Sequence, residues 1–168
     1  DRFRLLTGGG GRTLGRQQTL LATVDWSHDL LSEPERVLLR RLSVMSGSFS
    51  LEDVEAVCVG DGIDATQVVS LLRRLVATSW VMRERGGDRA AYRLLETSRQ
   101  YALDKLVSSS EAQRFRSKHS EWFVDLAETG AESMLGGPDQ TRWFDRIGSE
   151  LDNFRTALAW SLGDGDPA

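Results

Sequence analysis

The chain has 168 residues, of which 40% are hydrophobic and 27% charged, the composition of a globular protein with a core rather than a disordered or collagen-like chain. Twenty-one basic residues against 25 acidic ones leave a net charge of −4, which argues against a dedicated basic grip on nucleic acid. No stretch approaches the roughly 18 apolar residues of a membrane span, and the lone Cys58 excludes an internal disulfide or a cysteine-based zinc centre.

DRFRLLTGGG at the start has no signal-peptide plan, so the expected location is cytoplasmic. The chain opens on Asp1, which reads as a piece of a larger protein. Thr7 and the four glycines after it form a connector, since such a run cannot nucleate a helix. A helix is expected from Arg16 to Leu31, with Leu20, Leu21, Val24 and Leu31 on one face and Trp26 and Leu30 to the side, so that protein should cover two sides. Ser32 then stands before Glu33, Pro34 and Glu35, a helix start that combines a cap, a first-turn proline and acids at the positive end. That helix is predicted to reach Met45 and to bury Val37, Leu38, Leu42 and Met45, with SGSF at 46–49 ending it.

Ser50 and Asp53 form a capping box for a short helix over 51–58 that turns Val54, Val57 and Cys58 inward. Asp64 caps the next helix, to Thr78, with Val68, Val69, Leu71, Leu72, Leu75 and Val76 inside. The period then changes. SWVMRER at 79–85 and AYRLL at 91–95 read as two strands around a Gly86, Gly87, Asp88 turn. From Glu96 onward helices return, broken at 108–110 and 136–138. One over 111–129 buries Phe115, Trp122, Phe123 and Leu126; a last stretch carries Trp143, Phe144, Ile147, Leu151, Phe154 and Leu158, with Gly148 as its dividing point.

The fold class expected is mainly α: three helices and a β-hairpin make a winged helix, flanked by helices that lead into a helical repeat. The expected units are a connector and helix over 1–32, a winged helix over 33–107 and helical pairs over 108–168. The five tryptophans, Trp26, Trp80, Trp122, Trp143 and Trp160, read as core anchors.

No catalytic residue and no metal ligand emerges. The glycine run is not a phosphate loop, because Arg12 and Thr13 follow Gly11 where Lys and Ser or Thr are needed. Ser27, His28 and Asp29 are neighbours on a helix, projecting about 100° apart, and cannot converge as a triad. Asp25, His28 and Asp29 share a face but lack any further ligand motif, so they read as solvated. His119 reads as packed in its helix's apolar stripe, and the acids Glu52, Asp53, Glu150 and Asp152 as surface groups. One surface invites DNA: Thr66, Gln67, Ser70, Arg73, Arg74 and Ala77 lie opposite the apolar stripe of the 64–78 helix, and Arg83, Arg85, Arg89 and Arg93 fall in the hairpin. Over residues 64–105 eight basic side chains face five acidic ones, only +3, so a solvated face with an ion-paired hairpin is favoured and DNA contact is the alternative.

Three strings, RQQTLLATVDWSHDLLSEPERVLLRRLSVMSGSFSLEDVEAVC (16–58), YRLLETSRQYALDKL (92–106) and ELDNFRTALAWSL (150–162), together resemble the middle of actinobacterial LuxR-type transcriptional regulators of the signal-transducing (STAND, NB-ARC-like) ATPase class. The resemblance implies a place between an ATPase module and a tetratricopeptide-like array, with DNA read elsewhere in the parent protein. It implies ATP or ADP with Mg in that ATPase module and no cofactor here. The expected partners are the ATPase module and the helical repeats within the same molecule. In related ATPases a Met-His-Asp motif after the last winged-helix strand senses nucleotide. Leu94, Leu95 and Glu96 occupy that position, and Leu95 cannot replace an imidazole as a hydrogen-bonding group.

Overall fold

A computed structural model describes residues 22–84, 90–134 and 140–163. Helix α1 runs over 22–29 in the described residues and leads directly into α2, Glu33–Leu42. Ser32 caps α2 as expected, and the structure adds a reciprocal contact: the Ser32 backbone N–H donates to Glu35 Oε2 at 2.7 Å. Helix α2 stops at Leu42, short of the expected Met45. Ser43, Val44 and Met45 donate their N–H groups only three residues back, to Arg40, Arg41 and Leu42, and this tighter turn spends the helix end. Gly47, at φ 74°, then redirects the chain.

Beyond this turn lies a strand that sequence periodicity did not announce. Strand β1 is Ser48–Ser50, only three residues long, and it exists because β3 pairs with it. Helix α3, Leu51–Cys58, starts at once on the Ser50–Asp53 capping box. An antiparallel bridge between Gly60 and Ile63 closes the next loop, and α4, Ala65–Ala77, is capped by Asp64, whose Oδ1 accepts from the Thr66 N–H at 2.8 Å. Strands β2, Val81–Glu84, and β3, Ala91–Leu94, complete an antiparallel sheet in the order β1-β3-β2. The predicted turn at Gly86, Gly87 and Asp88, with Arg85 and Arg89, lies outside the described residues.

Helices α5, Glu96–Ser108, α6, Ala112–Met134, α7, Gln140–Ser149, and α8, Leu151–Ser161, finish the fold. Helix α6 runs beyond the expected end at 129, and the last stretch divides at Glu150 instead of Gly148. Gly130 has a different importance: a Cβ there would come within 2.8 Å of the Trp143 ring, so glycine lets α7 lie close on α6.

The core is continuous from the expected winged helix into the helical pairs after it. Leu38, Leu42, Phe49, Val54, Leu72 and Leu75 fill the winged helix, while Phe115, Phe123, Leu126, Phe154 and Ala157 extend the same cluster between α6 and α8. Several expected core positions fall outside it. Val69, Phe144, Leu151 and Leu158 are exposed, because a helix stripe wider than its partner's contact leaves its flanks uncovered. The tryptophan expectation also divides: Trp80 is buried, Trp122, Trp143 and Trp160 are half-buried, and Trp26 is 65% exposed. Leu30 is exposed beside it, so no described residue covers that side of α1. No helix among the described residues is long and apolar enough to cross a membrane.

Candidate functional site

The outer face of α4 is where a winged helix presents side chains to a partner. Thr66, Gln67, Ser70, Arg73, Arg74 and Ala77 are all exposed there, as expected. Most of its polar groups are nevertheless engaged locally. Thr66 donates through N–H and hydroxyl to Asp64 Oδ1, Gln67 Oε1 accepts from the Asp64 N–H, and the Ser70 hydroxyl donates to the Gln67 carbonyl. Arg74 reaches across to Glu35 at 3.2 Å, tying α4 to the start of α2. Burial pushes the Glu35 carboxyl up, but the Ser32 hydrogen bonds and Arg74 outweigh it and hold it below its usual range. Arg93 in β3 pairs with Glu84 in β2 at 3.3 Å, and Arg83 is exposed. Arg73 and Arg83 are thus the exposed cations of this face for which the structure shows no ion pair among the described residues.

The residues at the nucleotide-sensing position separate. Leu94 is buried at the end of β3, opposite Val81. Leu95 is 44% exposed and stands at the N-cap of α5 with a side chain that can accept no hydrogen bond. Glu96 is exposed and paired with Arg99 one turn along at 2.9 Å.

The groups brought together in the interior are ones sequence reasoning placed on the surface or passed over. Two joints fasten the winged helix to α6, α7 and α8. In the first, the buried Arg41 guanidinium of α2 donates to the carbonyls of Cys58, Gly60 and Asp61 and to Glu111 Oε1 at 2.8 Å, and lies 4.3 Å from the Phe115 ring centre. Arg40 holds the other Glu111 oxygen at 2.7 Å. Burial pushes the Glu111 carboxyl up, and the two arginines more than reverse it.

The second joint centres on Asp53. Its Oδ2 accepts from the Ser50 N–H and hydroxyl, each at 2.7 Å, as the capping box predicts. Its Oδ1 accepts from Trp122 Nε1 of α6 at 2.8 Å and from Arg146 of α7 at 3.2 Å. Beside it Asn153 of α8 accepts from the Ser46 N–H at 2.7 Å and donates to the Ser48 carbonyl at 2.7 Å, fixing α8 to the turn before β1. His119 Nε2 lies 3.1 Å from the same Asn153 oxygen, which can only accept, so Nε2 carries the proton. Burial lowers the His119 pKa.

Three expectations are therefore corrected. Asp53 and Glu150 are buried, because α6 packs on α3 and Arg146 of α7 reaches over both acids; only a tertiary neighbour could do that to a helix-capping acid. His28 is not solvated. Its ring packs edge-on against Trp80 and Tyr101, 6.1 and 5.4 Å between centres, while Asp25 turns away to accept from the Tyr101 hydroxyl at 2.7 Å. His119 sits in the core as its apolar stripe predicted. Among the described residues no cluster of His, Cys, Asp or Glu has the arrangement of a metal site. Burial drives the Cys58 thiol up to about 12, which makes it an inert core group.

A helix, a short strand, two further helices and a hairpin, closed by the three-stranded sheet, define residues 31–107 as a winged helix-turn-helix domain, and that span matches the family of that description. The chain is 43% identical over 168 residues to a candidate HTH-type transcriptional regulator of Mycobacterium tuberculosis, and equally to one of Mycobacterium bovis, covering 98% of this chain. An uncharacterized M. tuberculosis protein is 48% identical over 113 residues, 67% of this chain and 29% of its own length. The chain spans only 18% of the two regulators. No solved structure matches it.

Proposed function

We propose that this chain is a regulatory section of a transcriptional regulator, in which the winged helix passes the nucleotide state of a preceding ATPase module to a tetratricopeptide-like helical array and a DNA-reading output elsewhere. ATP or ADP and Mg belong to the ATPase module in this proposal. The observation that carries it is the pair of buried joints at Arg41–Glu111 and Asp53–Arg146. Buried charges held by several elements at once resist partial separation, so a push on the winged helix displaces α6, α7 and α8 with it. Coupling of this kind needs an interface with two arrangements, and the exposed Leu95 and Trp26 supply apolar contact area for the ATPase module.

Leu95→Asp separates docking from folding. Aspartate at an N-cap accepts from the first turn of α5, so the substitution should stabilise this chain by about 0.5–1 kcal/mol in a urea melt. In the intact regulator it should raise basal transcription by loosening the docked state. Unchanged transcription together with unchanged nucleotide affinity would remove the docking role.

A second reading, duplex DNA binding by this winged helix, is favoured by the exposure of Arg73 and Arg83 on a domain of the helix-turn-helix class. Fluorescence anisotropy against mixed-sequence duplex at low and near-physiological salt distinguishes the two. Coupling predicts no saturable binding at the higher salt. DNA contact predicts saturable binding that falls steeply with salt and is lost in Arg73→Ala with Arg83→Ala, a pair that leaves the Arg74–Glu35 contact intact.

A further inference from the structure

Three carboxyl groups meet one arginine where α7 reaches across to α3. Arg146 is 3.3 Å from Glu52, 3.2 Å from Asp53 and 3.4 Å from Glu150. Glu52 is half-exposed, whereas Asp53, Glu150 and the guanidinium itself are shut away from water, at 0, 6 and 9% side-chain exposure. The four donors on Asp53 mark it as the anion of the group. Asp53 and Arg146 therefore already balance in the closed joint. A second buried carboxylate would have no cation of its own, and an uncompensated charge in such a place is disfavoured. As the neutral acid, by contrast, Glu150 keeps its place 3.4 Å from Arg146 without adding a second buried charge.

We propose that a proton latches α7 to the winged helix: Glu150 occupies the closed joint as a neutral acid, and its ionisation releases α7 from α3. The latch would make the joint between the winged helix and the helical pair lose stability as pH rises through neutrality, with the loss complete a little above the point at which Glu150 ionises. It rests on the coupling reading only for its use, since it describes how the joint itself opens.

The environment supports the direction. Burial first, then the Asp53 charge, push the Glu150 carboxyl up to about 8, against a smaller pull from Arg146. Among the described residues, the other charged groups facing this joint are few. Helix α3 brings Glu52, which is half-exposed; α6 brings His119, which burial keeps neutral; α8 brings Asp152 and Arg155, exposed and paired with each other at 3.4 Å. Strand β1 is Ser-Phe-Ser and brings none.

Proton linkage sets the signs. The closed joint holds a proton on Glu150 from its ordinary value of 4.5 up to about 8, a proton the released acid gives up, so stability of the joint declines as pH rises through that window. His119 acts in the opposite sense: its lowered pKa makes stability rise with pH up to the ordinary 6.5 and leaves it level above. Above pH 6.5 the decline therefore belongs to Glu150, and it levels off above about 8.

The test uses the whole chain, labelled with 13C and 15N. The side-chain carboxyl carbon of Glu150 should titrate with a midpoint about 8, and protection factors of the α7 amides should fall about tenfold between pH 7 and 9 while those of α4 stay level. Glu150→Gln, an uncharged isostere, should keep α7 protected throughout that range. Glu52→Gln removes the half-exposed acid, leaves the alkaline fall in place, and serves should the glutamine variant at 150 fail to fold. A Glu150 carboxyl that titrates near 4.5, or α7 protection that stays constant while Glu150 titrates, overturns the latch. A joint closed at every pH would defeat the latch and leave the coupling reading standing, whereas loss of the Leu95→Asp effect would do the reverse.

Discussion

Arg41→Ala is expected to destabilise the chain by about 3–5 kcal/mol, read as a lower urea midpoint at unchanged slope. The substitution strips partners from three carbonyls in the 58–61 loop and from one Glu111 oxygen, and it leaves a void against Phe115. Arg41→Met separates those contributions. Its side chain refills the space over Phe115 but supplies no donor, so it should recover the packing share alone. Full recovery by methionine would show that the guanidinium fills space and does not bind the loop to α6.

Asp53→Ala should cost a similar amount, about 3–5 kcal/mol, with the loss concentrated at one place. Trp122 Nε1 loses its acceptor, Arg146 loses the most buried of its three carboxyl partners, and α3 loses half of its capping box. Hydrogen exchange should then show α7 and α8 opening well before the winged-helix core, in place of a single cooperative transition. Asp53→Asn should be milder, since an amide oxygen still accepts. It also removes the charge that pushes Glu150 up, so the Glu150 carboxyl should titrate lower in that variant than in the parent chain. Uniform loss of protection across all helices in Asp53→Ala would place the joint inside one indivisible core.

The elements legible in the sequence were those governed by short-range chemistry. Ser32, Ser50 and Asp64 announce the starts of α2, α3 and α4, because a cap acts on backbone N–H groups only two or three residues away. The change from a 3.6 to a 2.0 period marks β2 and β3 for the same local reason. Strand β1 was not legible, since three residues are too few to display a period and their partner lies more than 40 residues along. The α4 face was visible from helical geometry, yet its binding to Glu35 through Arg74 was not.

Asp53 shows most clearly where local information ends. Its role as a capping acid comes from Ser50 and the spacing of three. Its role as the buried anion of the joint depends on Trp122 and Arg146, 69 and 93 residues away. Local hydrogen bonding and hydrophobic periodicity were therefore enough to establish a winged helix with helices after it, for both act within a few residues along the chain. Which charges are enclosed, which apolar stripes remain open to a partner and how α6–α8 are fastened to the winged helix came from the folded arrangement. Desolvation and charge pairing are properties of neighbours in space, and those neighbours lie far apart in sequence.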